Sequence, residues 1–329
     1  MKAAWFDSFG AAADTLVVGE LPRPDPGAGE VLVRLSTSGV NPSDVKKRAG
    51  AFPNLLDDGL VIPHSDGAGV IEAVGEGVPR SRIGERVFVY QAQYGRRFGT
   101  AAEYVALDQL RAPRLPDNAS LEIGACIGIP VMTAHRCVFA DGPVKGGTIL
   151  VTGGAGRVGY YAIQWAKWAG AAVVATASNP ADAETCREMG ADHVVNHREP
   201  AWGDAVLDCT GGSRVDRVVE VEFGANLPEV LKCIRTGGTI ATYSSTVVKE
   251  PQLPFLQMMF MDLTTRMVIV YAMPEEAKAL AVADTCRLLE QNALRHRLAH
   301  SLPLDAIVQS HQLIEPGGFG GCVVIHTDR

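Results

Sequence analysis

Three glycines in the run Gly154-Ala155-Gly156-Arg157-Val158-Gly159 mark the part of this 329-residue chain best suited to hold a charged ligand. A glycine-rich turn lets the backbone approach a pyrophosphate closely, and a helix that starts there aims its free N–H groups at the same negative charge. The elements that must position such a turn are present. Thr148 to Thr152 reads as an apolar strand before it, Val158 to Ala169 carries apolar residues at helical spacing after it, and Ala172 to Ala177 reads as a second strand. A lone glycine pattern is weak evidence; strand, turn, helix and strand together are the context a dinucleotide site requires. The second strand runs into Ser178-Asn179-Pro180, with no carboxylate. In such units an acidic residue about 20 positions past the glycines usually holds the ribose 2′-hydroxyl of NAD. A hydroxyl and an amide donate instead to a 2′-phosphate, which favours NADP, and the same word also reads as a helix cap before proline.

Composition narrows the class. The net charge of −7 argues against nucleic acid or an anionic membrane as the main partner. Lys46-Lys47-Arg48 and Arg295-His296-Arg297 are local basic runs, read as solvated faces. Apolar runs such as Met267 to Met273 fall short of a membrane span, and the start of the chain lacks a secretory apolar stretch, so a cytoplasmic protein is expected. Seven cysteines, an odd number with no CxxC, read as reduced thiols.

The coarse organisation is two-part. Up to Leu115 the chain is rich in turns, with strands expected at Val31–Ser36, Gly69–Val74, Arg86–Val89 and Glu103–Ala106. Beyond that, strands at His193–Val195, Arg217–Val221, Gly238–Thr242 and Arg266–Tyr271 join the first two, with helical patterns between them. An α/β fold with a doubly wound, six-stranded parallel sheet follows. Glu275 to Asn292 reads as a long helix and Cys322 to His326 as a last strand. The expected domains are 1–120, joined by about 295–329, and 121–294.

Several words resemble a known family. They are Gly39-Val40-Asn41-Pro42, Gly69 to Gly75, Gly84-Glu85-Arg86-Val87-Phe88, Ile127-Gly128-Ile129-Pro130, Thr133-Ala134, the glycine loop, Gly190-Ala191-Asp192-His193, Asn196-His197-Arg198-Glu199 and Ala225-Asn226. In this order they are similar to the zinc-free quinone oxidoreductase, or ζ-crystallin-like, branch of the medium-chain dehydrogenase/reductase superfamily. The resemblance implies a GroES-like β-rich catalytic domain before a Rossmann domain, NADPH as cofactor, and a homodimer or homotetramer. Zinc-dependent relatives carry a Cys, a His-Glu pair and a second Cys where Asn41, Ser65-Asp66 and Ile129 stand here, and those side chains cannot form that site. No metal is expected. Without a Lewis acid, alcohol oxidation loses its main support, and hydride delivery to a quinone or conjugated enone remains.

The resemblance also implies roles. Asn41 and Asp44 line the substrate side of the nicotinamide, and Lys46 stands where relatives carry a tyrosine, as does Phe52. Asn41 and Asp44 read equally as a capped Asn-Pro turn, and Lys46 as a solvated side chain. Thr133, Arg157, Ser178, Asn179, His197, Asn226, Tyr243-Ser244-Ser245, Tyr271 and Phe319 complete the expected cofactor contacts. Neither Asp182 nor Cys322 can supply the basic group with which relatives often grip the 2′-phosphate. The expected function is a zinc-independent NADPH-dependent reductase of quinones or enones. The alternatives are an enoyl-thioester or alkenal reductase, and a non-catalytic NADPH-binding protein with a structural or AU-rich-RNA-binding role.

Overall fold

Alternating apolar side chains draw the first part of the chain into strands. In the computed structural model, which describes residues 1–318 and 320–328, β1 (Lys2–Trp5) and β2 (Val17–Glu20) form an antiparallel ribbon around the short helix α1 (Ala12–Thr15). β3 (Glu30–Val40) leads through helix α2 (Pro42–Arg48) to β4 (Asp66–Val74), β5 (Arg86–Val89) and β6 (Tyr104–Asp108). Val31, Val33, Leu35, Ile71, Val87, Val89, Val105 and Leu107 point to one face and make a single apolar cluster. Two helices follow, α3 (Leu121–Gly124) and α4 (Ile129–Phe139).

The chain then alternates. β7 (Thr148–Val151), α5 (Arg157–Trp168), β8 (Ala172–Ala177), α6 (Pro180–Glu188), β9 (His193–Asn196), α7 (Trp202–Cys209), β10 (Val215–Glu220), α8 (Phe223–Cys233), β11 (Ile234–Thr242), α9 (Phe255–Phe260) and β12 (Thr264–Met267) come in turn. Their strands pair in parallel in the order β12-β11-β10-β7-β8-β9. The order reverses between β7 and β10, and ligands of such sheets bind beyond the strand C-termini at that reversal. Helix α10 (Glu275–Glu290), β13 (Leu298–Pro303), α11 (Ile307–Ile314) and β14 (Cys322–His326) end the chain. β14 lies between β13 and β3 in the first sheet, whose order is β13-β14-β3-β4-β5 with β6 on β3. Among the described residues no helix is long and apolar enough to cross a membrane.

The chain forms two units, Met1–Ile129 with the segment from Val282 onward, and Pro130–Ala281. The first crossing falls later than the 120/121 boundary read from sequence because residues 121–129 bond to the β-rich sheet. Thr37 Oγ1 donates to the Leu121 carbonyl (2.8 Å) and the Ile129 N–H to Asp66 Oδ2 (2.8 Å). The second falls earlier than 294/295 because the end of α10 is tied to the same unit, with Asn118 Nδ2 donating to the Leu289 carbonyl (2.7 Å).

Two expectations are corrected. The sixth strand stops at Met267 rather than Tyr271. Its partner β11 ends at Thr242, whose carbonyl takes the Val268 N–H (2.7 Å), so the β-branched residues beyond have no ladder to join and Val270–Ala272 turns into a 3-10 helix. The Lys46-Lys47-Arg48 run is no solvated face: Lys46 is exposed, but Lys47 and Arg48 are buried. Lys47 Nζ donates to the Gln93 carbonyl (2.6 Å), and the Arg48 guanidinium to the Gly10 carbonyl and Glu315.

Ile325 is fully buried in β14, inside the cluster that also holds Phe6, Val61 and Ile307. Ile325→Ala should destabilise the protein by about 2–4 kcal/mol, read from urea unfolding. A loss below about 1 kcal/mol would mean that β14 is not a central strand of this sheet.

Candidate active site

The second unit presents a cradle at the strand reversal. Gly153, just ahead of the predicted loop, takes the left-handed backbone that turns the chain off β7 (φ 60°), and Gly156 caps α5. A Cβ at Gly159 would sit 2.4 Å from the Gly153 carbonyl oxygen, so the helix can approach the turn only with glycine there. Gly154 and Ala155 are buried; Gly156 is exposed, and Arg157 and Val158 are half-buried. The N-terminus of α5 therefore opens at this turn, and the positive end of a helix favours an anion there.

Ser178, Asn179, His197, Asn226, Tyr243, Ser244 and Ser245 lie beyond the C-termini of strands neighbouring this turn. Asn179 is the N-cap of α6: its Oδ1 accepts the Asp182 N–H (2.9 Å) and its Nδ2 donates to Asp182 Oδ2 (2.7 Å). Ser178 is half-buried beside it. His197 follows β9, with its N–H on the Ala177 carbonyl (3.2 Å). Its Nδ1 is buried with no hydrogen-bond partner among the described residues, and burial, with Arg198, lowers its pKa. That orphaned nitrogen and the glycine cradle fit a dinucleotide. Asn226, on α8, donates to Glu220 Oε1 (2.8 Å) at the end of β10. Tyr243 follows β11, and burial pushes its hydroxyl well up. The Ser244 carbonyl accepts the Phe223 N–H (3.1 Å), and Ser245 Oγ accepts the Gly224 N–H (2.9 Å). Thr133 is buried within α4, and Tyr271 is buried in the turn after β12. Phe319 lies outside the described residues.

Two carboxylates here escaped the sequence reading. Glu220 is fully buried, which raises its pKa, and accepts N–H groups from Glu222 (2.6 Å) and Asn226. Glu222 fastens the loop after β11: one oxygen takes Thr246 N–H (2.8 Å) and hydroxyl (2.6 Å), the other the Val247 N–H (2.9 Å). A carboxylate at or just past the C-terminal end of a strand was the signal that could have found both.

The first unit holds a polar core. Asp66 is fully buried at the start of β4, and its Oδ2 accepts Asn41 Nδ2 (2.9 Å) as well as the Ile129 N–H (2.8 Å). Asp44 Oδ2 accepts the Asn41 backbone N–H (2.8 Å), so the capping reading of Asp44 holds for that bond. Burial dominates at Asp66 and lifts its pKa to about 8.

A chain of hydrogen bonds ends on the same residue, and its direction can be deduced. The Asp66 carbonyl can only accept, so Thr100 Oγ1 donates to it (2.6 Å). Ser38 Oγ must then donate to Thr100 (2.8 Å) and accept from His64 Nδ1 (2.7 Å). Neutral His64 is left with a bare Nε2, to which His311 Nε2–H donates across 3.0 Å. Both rings are held neutral: burial lowers the His64 pKa well below its usual value and brings His311 to about 3. His311 arrives from α11, far along the sequence, and nothing in the sequence marks it as a partner of His64.

These groups do not make a zinc set. Both nitrogens of His64 are engaged, Ile129 is aliphatic, and no cluster of three His, Cys, Asp or Glu that could hold a metal occurs among the described residues.

The chain matches two family models, the alcohol dehydrogenase GroES-like domain over residues 27–117 and the zinc-binding dehydrogenase over residues 158–285. It is similar to a quinone oxidoreductase of Rattus norvegicus, 32% identical over 244 residues, covering 73% of this chain and 72% of that one. The Homo sapiens quinone oxidoreductase is 28% identical over 331 residues, covering 99% and 97%. A mycobacterial protein solved in complex with NADPH superposes with a TM-score of 0.86 at 27% identity, covering 99% of this chain and all (100%) of that one.

The buried trio sets a pH response. For His64 and His311 the folded pKa lies below the ordinary 6.5, so their contribution to stability is present above 6.5 and lost as pH falls below it, for His311 toward about 3. Asp66 behaves oppositely: its contribution is complete below 3.8 and lost as pH rises to about 8. Above 6.5 the aspartate alone of the three is still titrating. Asp66→Asn should therefore flatten the decline in unfolding free energy between pH 6.5 and 8, by about 1.4 kcal/mol per pH unit. An unchanged slope in denaturant titrations would show that Asp66 is already ionised.

Proposed function

Because this chain belongs to the quinone oxidoreductase branch of the medium-chain dehydrogenase/reductase superfamily, we propose that it is an NADPH-dependent reductase of quinones or related conjugated enones that works without zinc. The observation that carries this reading is the Asn41–Asp66 pair. Where zinc-dependent relatives place metal ligands, this chain has an amide donor held by a buried carboxyl. An amide cannot act as a Lewis acid toward an alcohol, but it can donate to an oxygen on which charge develops.

When bound, NADPH supplies the hydride. The glycine turn and the N-terminus of α5 take its pyrophosphate, and Ser178, Asn179 and His197 lie where the 2′-phosphate would be met. Arg157, Asn226, Tyr243, Ser244, Ser245, Thr133 and Tyr271 are the remaining contacts in this reading. Asn41 donates to the acceptor oxygen as it gains charge, while Asp44 holds the Asn41 backbone. Exposed Lys46 offers at most a long-range positive charge to the acceptor. The proton that completes reduction comes from water. The assembly is a homodimer built on β12, an edge strand that ends in exposed Met267 and is followed by exposed Ile269.

The test follows the near-ultraviolet absorbance of NADPH and, in parallel, NADH, with a panel of quinones and enones and EDTA throughout. NADPH consumption unaffected by EDTA is the expected result. Tight NADPH binding with no acceptor turned over would replace the enzyme by a non-catalytic cofactor binder. Asn41→Ala should lower kcat about 100-fold with little change in the KM for NADPH. Asp182 places a carboxylate against Asn179, where it repels a 2′-phosphate. Asp182→Lys should accordingly lower the KM for NADPH about tenfold and leave that for NADH unchanged; equal effects on both would place the phosphate elsewhere. Light scattering checks the assembly, and a clean monomer excludes it.

A further inference from the structure

We infer that Asp66 is a positioning residue for Asn41, holding one N–H of its amide so that the other N–H is aimed at the acceptor oxygen. This rests on the reading of Asn41 as the donor given above. The geometry is restrictive. Oδ2 of Asp66 accepts Asn41 Nδ2 at 2.9 Å and the Ile129 N–H at 2.8 Å, so it acts as an acceptor twice over. An Asn41 amide turned over would set its carbonyl oxygen against that acceptor, and the turned state is disfavoured. Because an amide's two N–H bonds diverge at a fixed angle, holding one directs the other.

The surroundings leave the carboxyl little freedom. Asp66 is fully buried and Asn41 is 4% exposed. The other oxygen, Oδ1, has no partner among the described residues and fills the space where Gly128 lacks a side chain; a Cβ there would lie 2.2 Å from it. The Asp66 backbone is fixed by the chain from His311 through His64, Ser38 and Thr100, and the Asn41 backbone by Asp44.

Charge gives the pair a signature. The titratable and charged groups facing Asp66 are Asp44 and Lys47 from α2 and Cys322 from β14; His64 stands ahead of it in sequence, with His311 from α11 behind. With the carboxyl neutral, the Asn41 N–H meets a developing oxyanion unopposed. Ionised, Asp66 sets a buried negative charge behind that donor, so the wild type should slow on the alkaline side, around pH 8.

The experiment measures kcat and KM for NADPH-driven reduction of para-benzoquinone across pH 6 to 9, with Asn41→Ala, Asp66→Asn, Asp66→Ala and the Asn41→Ala/Asp66→Ala double variant. Asp66→Ala should lower kcat about tenfold to 100-fold with an unchanged KM for NADPH. Asp66→Asn, whose amide oxygen accepts the same two N–H groups, should restore most of kcat and abolish the alkaline fall. The double variant should be no slower than Asn41→Ala alone, because Asp66 acts through Asn41. Losses that multiply, or Asp66→Ala within about twofold of wild type, overturn the inference while leaving the donor reading intact. Full activity in Asn41→Ala overturns the donor reading, and the inference with it. If Asp66→Ala does not fold, the pH profile of Asp66→Asn decides: an alkaline fall that persists overturns the inference.

Discussion

The Asp66 carboxyl is fully buried, and burying such a group without partners would cost several kcal/mol. The first unit is arranged to avoid that cost. Two N–H groups converge on one oxygen, Gly128 withholds a side chain beside the other, and the carboxyl stays neutral into the alkaline range. The same need for partners runs outward. A hydroxyl, a second hydroxyl and two imidazoles each pass on one proton's direction, so strands β3 and β4 and helix α11 are bound by a single hydrogen-bonded line. Partly satisfied polar networks are costly in a low dielectric, and the line from Thr100 to His64 is satisfied at every link, which leaves Asp66 Oδ1 and His311 Nδ1 at its two ends without a partner among the described residues.

The second unit meets a different constraint. Its strands are apolar on both faces, so the polar groups a ligand needs collect at the C-terminal edge where the chain turns. Thr152 Oγ1 accepts the Val221 N–H (3.0 Å), which joins the turn after β7 to the turn after β10 at the reversal of strand order. Glu222 then holds the 246–248 backbone through two oxygens, and this is why its carboxyl titrates below the usual range despite partial burial.

What the sequence disclosed follows the range of the interactions. β5, β8 and β14 lie at the residues expected, since each is a short apolar run with clear turns around it. The glycine turn was legible because its chemistry is local: strand, turn and helix are consecutive. Met267 to Tyr271 was misread because a β-branched run states a preference, whereas the length of a strand is set by its neighbour, here β11. Lys47 and Arg48 were misread for a related reason: three consecutive basic residues on a helix face three directions, and composition does not say which of them turn inward, here to Gln93, Gly10 and Glu315. Asp66 was noticed only as a non-ligand. Its partners Asn41, Ile129 and, through the backbone, His311 are distant in sequence, and no periodicity encodes such a meeting.

The place of β14 in the first sheet has a consequence for how the protein is made. Pro130–Ala281 is one continuous stretch and is complete once it leaves the ribosome, whereas the first sheet waits for a strand from residues 322–326. At about 5–20 residues per second, tens of seconds separate the emergence of β3 from that of β14. Until then the Thr37–Val40 stretch of β3 lacks its β14 partner, although Glu30–Arg34 has β6 to pair with. The second unit can therefore form while the first still lacks one of its strands.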